Sequence, residues 1–376
     1  MTLQRNAGAV RRFGKMMKFG AWLQTLPGKL TPPPFRLMQI GSAFWQSRAL
    51  YVTTRLDVAT VLGDAELDCD SIATRVGVDA DALARLLRLL SALGVFAEAG
   101  PGIYRNNQFS AFLRQDHPGN VRAMILMHNS DTMSRPWYEQ LEQGIRSGTP
   151  PFELAHGEEL FAHLDRAPDF ARLFSEAMDS VEALSGDSFA TDFDWSRFRR
   201  IIDVGGARGS KSLAILRRHP GLQALVLDHP QVIAEARTHW AAHPNPDALR
   251  LEFQAGDLLQ ALPPARDEQD IYLVSAVLHG MGQADCLRAL RNLAQASGGR
   301  GAPIVLLEQV MPETGADLSS ASFDMQMFMG TRGRERTLQE WQRMFRDSAL
   351  KLEEIVALRS FGKLLVLRPQ ATSSGN

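Results

Sequence analysis

Three side chains, His279, Glu308 and Glu335, stand where a chain of alternating strands and helices would set up proton chemistry. His279 follows the apolar run Tyr272-Leu273-Val274-Ser275, which reads as a buried strand, and Glu308 closes another in Leu306-Leu307-Glu308. An imidazole with a pKa near ~6.5 can take a proton from a phenol or enol at neutral pH. Carboxylates beside it can orient the ring and stabilise its charged form. Each residue also has a plain structural reading: a histidine at a strand end as a packing group, and Glu335 as a charge at a helix N-terminus capped by Thr337. Convergence of all three at one sheet edge is what would give them a joint role.

That edge should also hold a ligand. Ile201-Ile202-Asp203-Val204 reads as a buried parallel strand, and Gly205, Gly206 and Gly209 let the chain turn into a helix expected from Ser210 to His219. In doubly wound folds, ligands bind outside the carboxyl ends of the strands. A dinucleotide fingerprint, G-x-G-x-x-G, is met only at its last two glycines, because its first position falls on Val204. A phosphate loop, G-x-x-x-x-G-K-[ST], fits Gly205 to Ser212 except that Ser210 stands before Lys211, and the strand Tyr272 to Ser275 lacks an acidic partner for magnesium. The nucleoside sulfonium S-adenosylmethionine suits the remaining residues. Asp228, 25 residues after Asp203, ends the next strand where it can accept from both ribose hydroxyls. Gly256-Asp257-Leu258 ends the third, where it can hold an adenine edge.

The segments Asp203-Val204-Gly205-Gly206 with Gly209, Leu227-Asp228-His229-Pro230, Gly256-Asp257-Leu258, Val277-Leu278-His279-Gly280 and Gly333-Arg334-Glu335-Arg336-Thr337 occur in this order. On these segments the chain, over roughly residues 40 to 370, resembles the small-molecule O-methyltransferases of the caffeate, acetylserotonin and polyketide-tailoring type. The resemblance implies a class I methyltransferase-like α/β fold, a doubly wound, mostly parallel seven-stranded sheet preceded by an α-helical winged-helix dimerisation domain. It implies S-adenosyl-L-methionine as cofactor, held by Asp203, Gly205, Gly206, Gly209, Asp228, Gly256, Asp257, Leu258 and Ser275, with no metal. It implies His279 as general base beside Glu308 and Glu335, methylating a hydroxyl of a small, largely apolar secondary metabolite. Met124, Met127, His128, Trp137, Phe174, Met178, Met325 and Met329 would line the substrate pocket; by composition alone, methionines and aromatics at helical spacing are core.

The chain departs from the family's pattern at Ala207 and Arg208 in the glycine loop, and at Gly280-Met281, where the family's histidine is followed by Asp-Trp. Some relatives of this fold bind the cofactor yet catalyse hydroxylation, decarboxylation or rearrangement, and these departures leave that alternative open. The retained His279 favours methylation.

The elements that must position these residues follow from the apolar pattern. Strands are expected near 200 to 204, 224 to 228, 250 to 254, 270 to 277, 303 to 309, 352 to 358 and 362 to 368, the last two as an antiparallel hairpin. Ahead of them, Asp70 to Val76 and Ala82 to Leu90 read as helix, turn, helix, with a small wing at Gly94-Val95-Phe96 and Ile103-Tyr104-Arg105. A winged helix suggests a DNA-binding regulator, but residues 82 to 93 are mostly Leu and Ala with only Arg85 and Arg88, so an interaction surface fits better. In the resembled family this module forms a homodimer. The expected division is a basic extension at 1–36, the winged-helix domain at 37–120, a helical connector at 121–190, the cofactor-binding domain at 191–370 and a disordered tail at 371–376.

The first 36 residues hold Arg5, Arg11, Arg12, Lys15, Lys18, Lys29 and Arg36 with no acidic residue, interleaved with Phe13, Met16, Met17, Phe19, Trp22 and Leu23. Such a segment either packs on the body or a partner subunit, or rests on an anionic membrane surface. Pro32-Pro33-Pro34 should end it. With 376 residues, 45% apolar content and a net charge of -1, the chain can bury a large core and offers no bulk attraction to nucleic acid. Cys69 and Cys286 have neither metal-ligand spacing nor a disulfide pattern, which suits a reducing cytoplasm.

Overall fold

The computed structural model describes residues 2–370; the tail expected at 371–376 lies outside the described residues. The chain forms two compact units, Met1–Ala21 together with Gly186–Asn376, and Trp22–Ser185. The division falls inside a 24-residue helix, α1 (Ala7–Leu30). The proline run ends α1 as expected and also starts the next helix, Pro33–Gly41, because a proline in the first turn lacks only an N–H that would have had no helical partner.

In the Trp22–Ser185 unit the expected helix-turn-helix is α2 (Cys69–Val76) and α3 (Ala80–Ala92). Asp68 caps α2 by accepting the Ser71 N–H, and Asp79 caps α3 through the Ala82 N–H. Leu83, Leu87 and Leu90 lie on one face of α3 and are buried, while Arg85 pairs with Asp81 on the surface. The wing consists of antiparallel strands Ala97–Gly100 and Ile103–Arg105. Its first strand therefore begins after Gly94-Val95-Phe96 rather than within it. Gly94, at φ 77°, and Val95 instead close α3 by donating to the Ser91 and Leu90 carbonyls. Residues 122 to 185 then form six successive helices.

The second unit is built on a seven-stranded sheet: β1 (Arg200–Val204), β2 (Gln223–Asp228), β3 (Leu251–Ala255), β4 (Asp270–Ser275), β5 (Ile304–Glu308), β6 (Leu350–Ala357) and β7 (Lys363–Pro369). The spatial order is β6-β7-β5-β4-β1-β2-β3, and only β7 runs against its neighbours. Strand order reverses between β1 and β4, which opens a crevice at their carboxyl ends.

Alternation along each strand divides the core between two faces. Ile202, Val204, Tyr272, Val274, Ile304 and Leu306 join one buried cluster. Ile201, Val226, Ile271, Leu273 and Val305 join the other. Each such side chain contributes about 1.5–3 kcal/mol relative to exposure. The helices α4 (Ser210–Arg218), α5 (Pro230–Ala242), α6 (Gln283–Ser297), α7 (Leu318–Gly330) and α8 (Leu338–Arg346) complete the elements used below.

The expected strand boundaries hold to within two residues, and the departure at 270 to 277 matters most. The strand stops at Ser275 because Ala276 adopts φ 52°, and a single 3-10 turn, Leu278–Gly280, follows. At the sheet's edge the Gln4 side chain donates to the Ala357 carbonyl and accepts its N–H, at 3.0 and 2.9 Å. One amide thereby satisfies an otherwise open position of β6.

Candidate active site

The glycine loop after β1 is held from below. Asp203 is buried and accepts the Ser212 hydroxyl at 2.7 Å, and a Cβ on Gly206 would stand 2.6 Å from the Asp203 carboxyl carbon. Gly205 combines φ 75° with a close approach: its Cβ would lie 2.7 Å from Val277 Cγ2. Any side chain at either position would displace the loop. Gly209 forms the N-terminal cap of α4.

Asp228, at the end of β2, accepts the Ala207 N–H at 2.9 Å and the His229 N–H at 2.8 Å, one on each oxygen. Each oxygen keeps a second lone pair for a hydroxyl. Ala207 itself holds φ 48°, a conformation that glycine adopts more readily, and the Trp240 indole anchors the loop by donating to the Arg208 carbonyl at 2.8 Å. Gly256 packs on Leu227, Asp257 accepts the Leu259 N–H at 2.8 Å, and Leu258 points into the core. Ser275 Oγ is buried without a hydrogen-bond partner among the described residues.

Glycines that clear one side of the loop, a carboxylate with spare lone pairs and an orphaned buried hydroxyl together fit a polar nucleoside such as S-adenosylmethionine. Asp203 and Leu258, named with the others from the sequence, support this surface from behind.

Just beyond Val277 the chain turns, and His279 emerges. Its Nδ1 lies 2.8 Å from Glu335 Oε1 and 3.9 Å from Glu308 Oε2, and both glutamates are buried. An ionised carboxylate only accepts, so Nδ1 carries the proton and a neutral ring keeps its lone pair on Nε2. Glu308 also takes the Leu278 N–H on Oε1 at 3.0 Å, which ties the turn to the end of β5. The second oxygens of both carboxylates are buried without hydrogen-bond partners.

Burial by itself pulls the imidazole down, but the Glu308 charge and the hydrogen bond to Glu335 outweigh it, so the net direction is up from 6.5. Burial pushes the Glu308 carboxyl up as well, against the pull of the His279 charge. The Glu308 charge comes first among the upward contributions, ahead of the Glu335 hydrogen bond, so the upward shift of His279 depends in part on Glu308 being ionised. The three residues also offer ligand atoms within 4.8 Å of one another, a spacing a cation could use. The Nδ1–Oε1 hydrogen bond already engages one atom from each of two such ligands.

Glu335 is not the helix-end charge that its position in sequence allowed. The acid in the first turn of α8 is Glu340, in a reciprocal capping box with Thr337, which caps the helix as expected. Glu335 is placed instead by the short parallel pairing of Arg336–Thr337 with Val310–Met311, two residues past Glu308, and by its N–H donating to Asp324 at 2.8 Å.

Four neighbours escaped the sequence reading. The Phe323 ring lies 5.7 Å from the imidazole, Asp324 holds the Glu335 backbone, Gly333 presses on the His279-Gly280 main chain, and buried Arg336 bonds to the same turn. Gly333 and Arg336 belong to a motif that was legible, but nothing in their spacing says what they touch. Gly280, by contrast, meets nothing within 4 Å at its Cβ position, so the departure from Asp at that site is not forced by packing.

The residues expected in a substrate pocket fall in both units. Met325 and Met329 sit on α7, with Met329 buried and Met325 partly so. In the other unit Met127 is fully buried, Met124, His128, Trp137 and Phe174 are partly exposed, and Met178 is exposed. Burial lowers the His128 imidazole.

A family model described as an O-methyltransferase domain matches residues 138–350, and one described as an O-methyltransferase dimerisation domain matches residues 38–116. The chain is 32% identical over 331 residues to a phenazine-1-carboxylate N-methyltransferase of Pseudomonas aeruginosa, covering 88% of this chain and 96% of that one. The crystal structure of LaPhzM superposes with a TM-score of 0.81 at 27% identity, covering 90% of this chain and all of that one. CalO1, a methyltransferase in calicheamicin biosynthesis solved with S-adenosylhomocysteine bound, superposes with a TM-score of 0.77 at 29% identity over 89% of this chain and 98% of its own. Matches of this extent, in both domains, make the chain a member of the S-adenosylmethionine-dependent small-molecule O-methyltransferase family whose enzymes carry an N-terminal dimerisation domain.

Proposed function

We propose that this enzyme methylates a hydroxyl of a small, flat, largely apolar secondary metabolite, with His279 as the general base. The observation that carries this reading is the 2.8 Å hydrogen bond between His279 Nδ1 and Glu335, two residues from the Val277 side chain that packs on the glycine turn. S-adenosylmethionine supplies an electrophilic methyl carbon when bound. Asp228 holds its ribose, Gly205, Gly206, Gly209, Gly256, Asp257 and Ser275 form the surrounding surface, and Asp203 and Leu258 support that surface. His279 Nε2 takes the acceptor's proton as the oxygen–carbon bond forms and the carbon–sulfur bond breaks. Glu335 then stabilises the resulting imidazolium.

Both oxygen and nitrogen methylation occur among the relatives, one of which is named a phenazine-1-carboxylate N-methyltransferase. A positioned base favours an oxygen acceptor, because a hydroxyl keeps its proton at neutral pH whereas a ring nitrogen offers a free lone pair.

Calorimetry tests the cofactor half of this reading. Wild type should bind S-adenosylmethionine and S-adenosylhomocysteine. Asp228→Ala should lose about 100-fold or more in affinity, since it removes two charge-assisted hydrogen bonds of at least about 1.5 kcal/mol each. Equal affinities in the two proteins would reject Asp228 as the ribose ligand.

The working division is an extension at 1–36, a dimerisation domain at 37–120, a connector at 121–190 and a catalytic domain at 191–370. Exposed Phe35, Leu37, Met38, Ile40, Phe44 and Trp45 run into the dimerisation match, and we read them with the apolar residues of α1 as covered by a second copy rather than by a membrane. No helix among the described residues is long and apolar enough to cross a bilayer. Sedimentation should give twice the chain mass of 41.6 kDa. A monomer that floats with anionic vesicles, and loses that property without residues 1–36, would favour the membrane reading. Cys69 and Cys286 are free and buried, in keeping with a reducing cytoplasm.

A further inference from the structure

We propose that Arg336 is a positioning residue for the catalytic base: its guanidinium clamps the backbone of the turn that carries His279. The side chain is 3% exposed and lies over the Trp341 ring, with 5.0 Å from its central carbon to the ring centroid. Nη1 donates to the Leu278 carbonyl at 3.1 Å and to the Arg334 carbonyl at 3.3 Å; Nη2 donates to the Met281 carbonyl at 3.1 Å. One rigid, planar fork therefore bonds the residues on both sides of His279-Gly280.

The turn needs such a constraint. It is a single 3-10 turn of three residues that leaves a strand through Ala276 at φ 52°, and short 3-10 segments have weak hydrogen-bond geometry of their own. Besides the turn's own backbone bonds, its main chain is tied by the Ala276 N–H to the Leu307 carbonyl at 2.9 Å, by the Leu278 N–H to Glu308, and by the Arg336 fork.

Arg336 is also the residue next to Glu335. The same short strand that places the Glu335 carboxylate against Nδ1 thus sends its next side chain around to hold the backbone of the ring. Base and orienting carboxylate are fixed to each other twice, once through the imidazole and once through the guanidinium. Arg336 touches neither cofactor nor acceptor in this role. It acts through His279, so the inference rests on the reading of His279 as base.

The test uses the full-length chain and needs no acceptor. The His279 Nδ1 proton, donated to a buried carboxylate, should appear as a downfield, exchange-protected resonance in proton NMR and vanish in His279→Asn. In Arg336→Met its solvent exchange should accelerate at least about 10-fold, as the turn loses its fork, while S-adenosylmethionine affinity by calorimetry stays within about twofold. Arg336→Lys should fall between the two, because an ammonium on a flexible stem cannot span both carbonyls. Wild-type exchange in Arg336→Met overturns the inference. If that variant does not fold, wild-type exchange in Arg336→Lys overturns it. Absence of the resonance from the wild-type protein would instead defeat the reading of His279 and Glu335 on which the inference rests.

Discussion

Replacing His279 by asparagine should lower kcat by roughly 10²–10⁴-fold, the usual contribution of a positioned general base, and leave S-adenosylmethionine affinity unchanged. The separation follows from placement: the glycine loop proposed for the cofactor is tied by Asp203 to Ser212, by Asp228 to the Ala207 N–H and by Trp240 to the Arg208 carbonyl. Acid–base behaviour gives the same assignment an independent readout. A histidine base would work as neutral imidazole, and the His279 pKa is raised from 6.5 by the neighbouring carboxylates. With a substrate on hand, kcat/KM should therefore rise with pH through a midpoint above 6.5 in the wild type, and that limb should be absent in the variant.

Stability runs the other way. A group whose folded pKa is raised contributes fully below its unfolded value and loses that contribution as pH climbs through the folded value. The imidazolium therefore stabilises the fold most under conditions where the enzyme turns over least. An NMR titration of the ring in the cofactor-free protein, with a midpoint at or below 6.5, would contradict the assigned network.

Gly333→Ala should be the most damaging substitution of a small residue in this site. Its Cβ would fall on the His279 carbonyl oxygen and lie 2.5 Å from the Gly280 carbonyl carbon and 2.7 Å from Gly280 Cα. All three are main-chain atoms, so no side chain can swing aside to relieve the overlap. Either the turn bearing the base or the segment bearing Glu335 must move, and overpacking of this kind costs about 1–3 kcal/mol or more. A shift of about 1 Å in a catalytic group costs on the order of 100-fold in rate. Chemical denaturation and methyl-transfer kinetics would each register the change. A variant with wild-type midpoint and wild-type kcat would mean that the two segments do not lie in contact as described.

Much of the catalytic fold was legible because its cues are local. Continuous apolar runs located the inner strands β1, β2, β4, β5 and β7, since a strand buried on both faces needs no polar alternation, while the edge strands β3 and β6 mix apolar and polar residues. The glycine loop was legible from its spacing after a buried strand, although the close approaches that require Gly205 and Gly209 come from Val277 and Val226, distant in sequence, and Thr337 was recognisable as a cap because capping is a contact between near neighbours. Where local cues gave out, the boundaries slipped. The strand expected to reach residue 277 stops at Ser275, because Ala276 takes a left-handed conformation for which alanine carries no signal.

Local cues set the order of strands and helices, the glycine loop proposed for the cofactor, and the three side chains able to share a proton. That those three meet is a matter of long-range packing. His279 and Glu335 are 56 residues apart, and Leu278 and Glu308 are 30 apart, so their contacts exist only because β4 and β5 are neighbours in the sheet and Arg336–Thr337 pairs beside Val310–Met311. Long-range packing also decided that Arg336 turns inward and that Gly333 must have no side chain. Neither outcome follows from spacing, because a periodic pattern records which face of an element is buried and not which distant backbone lies against it.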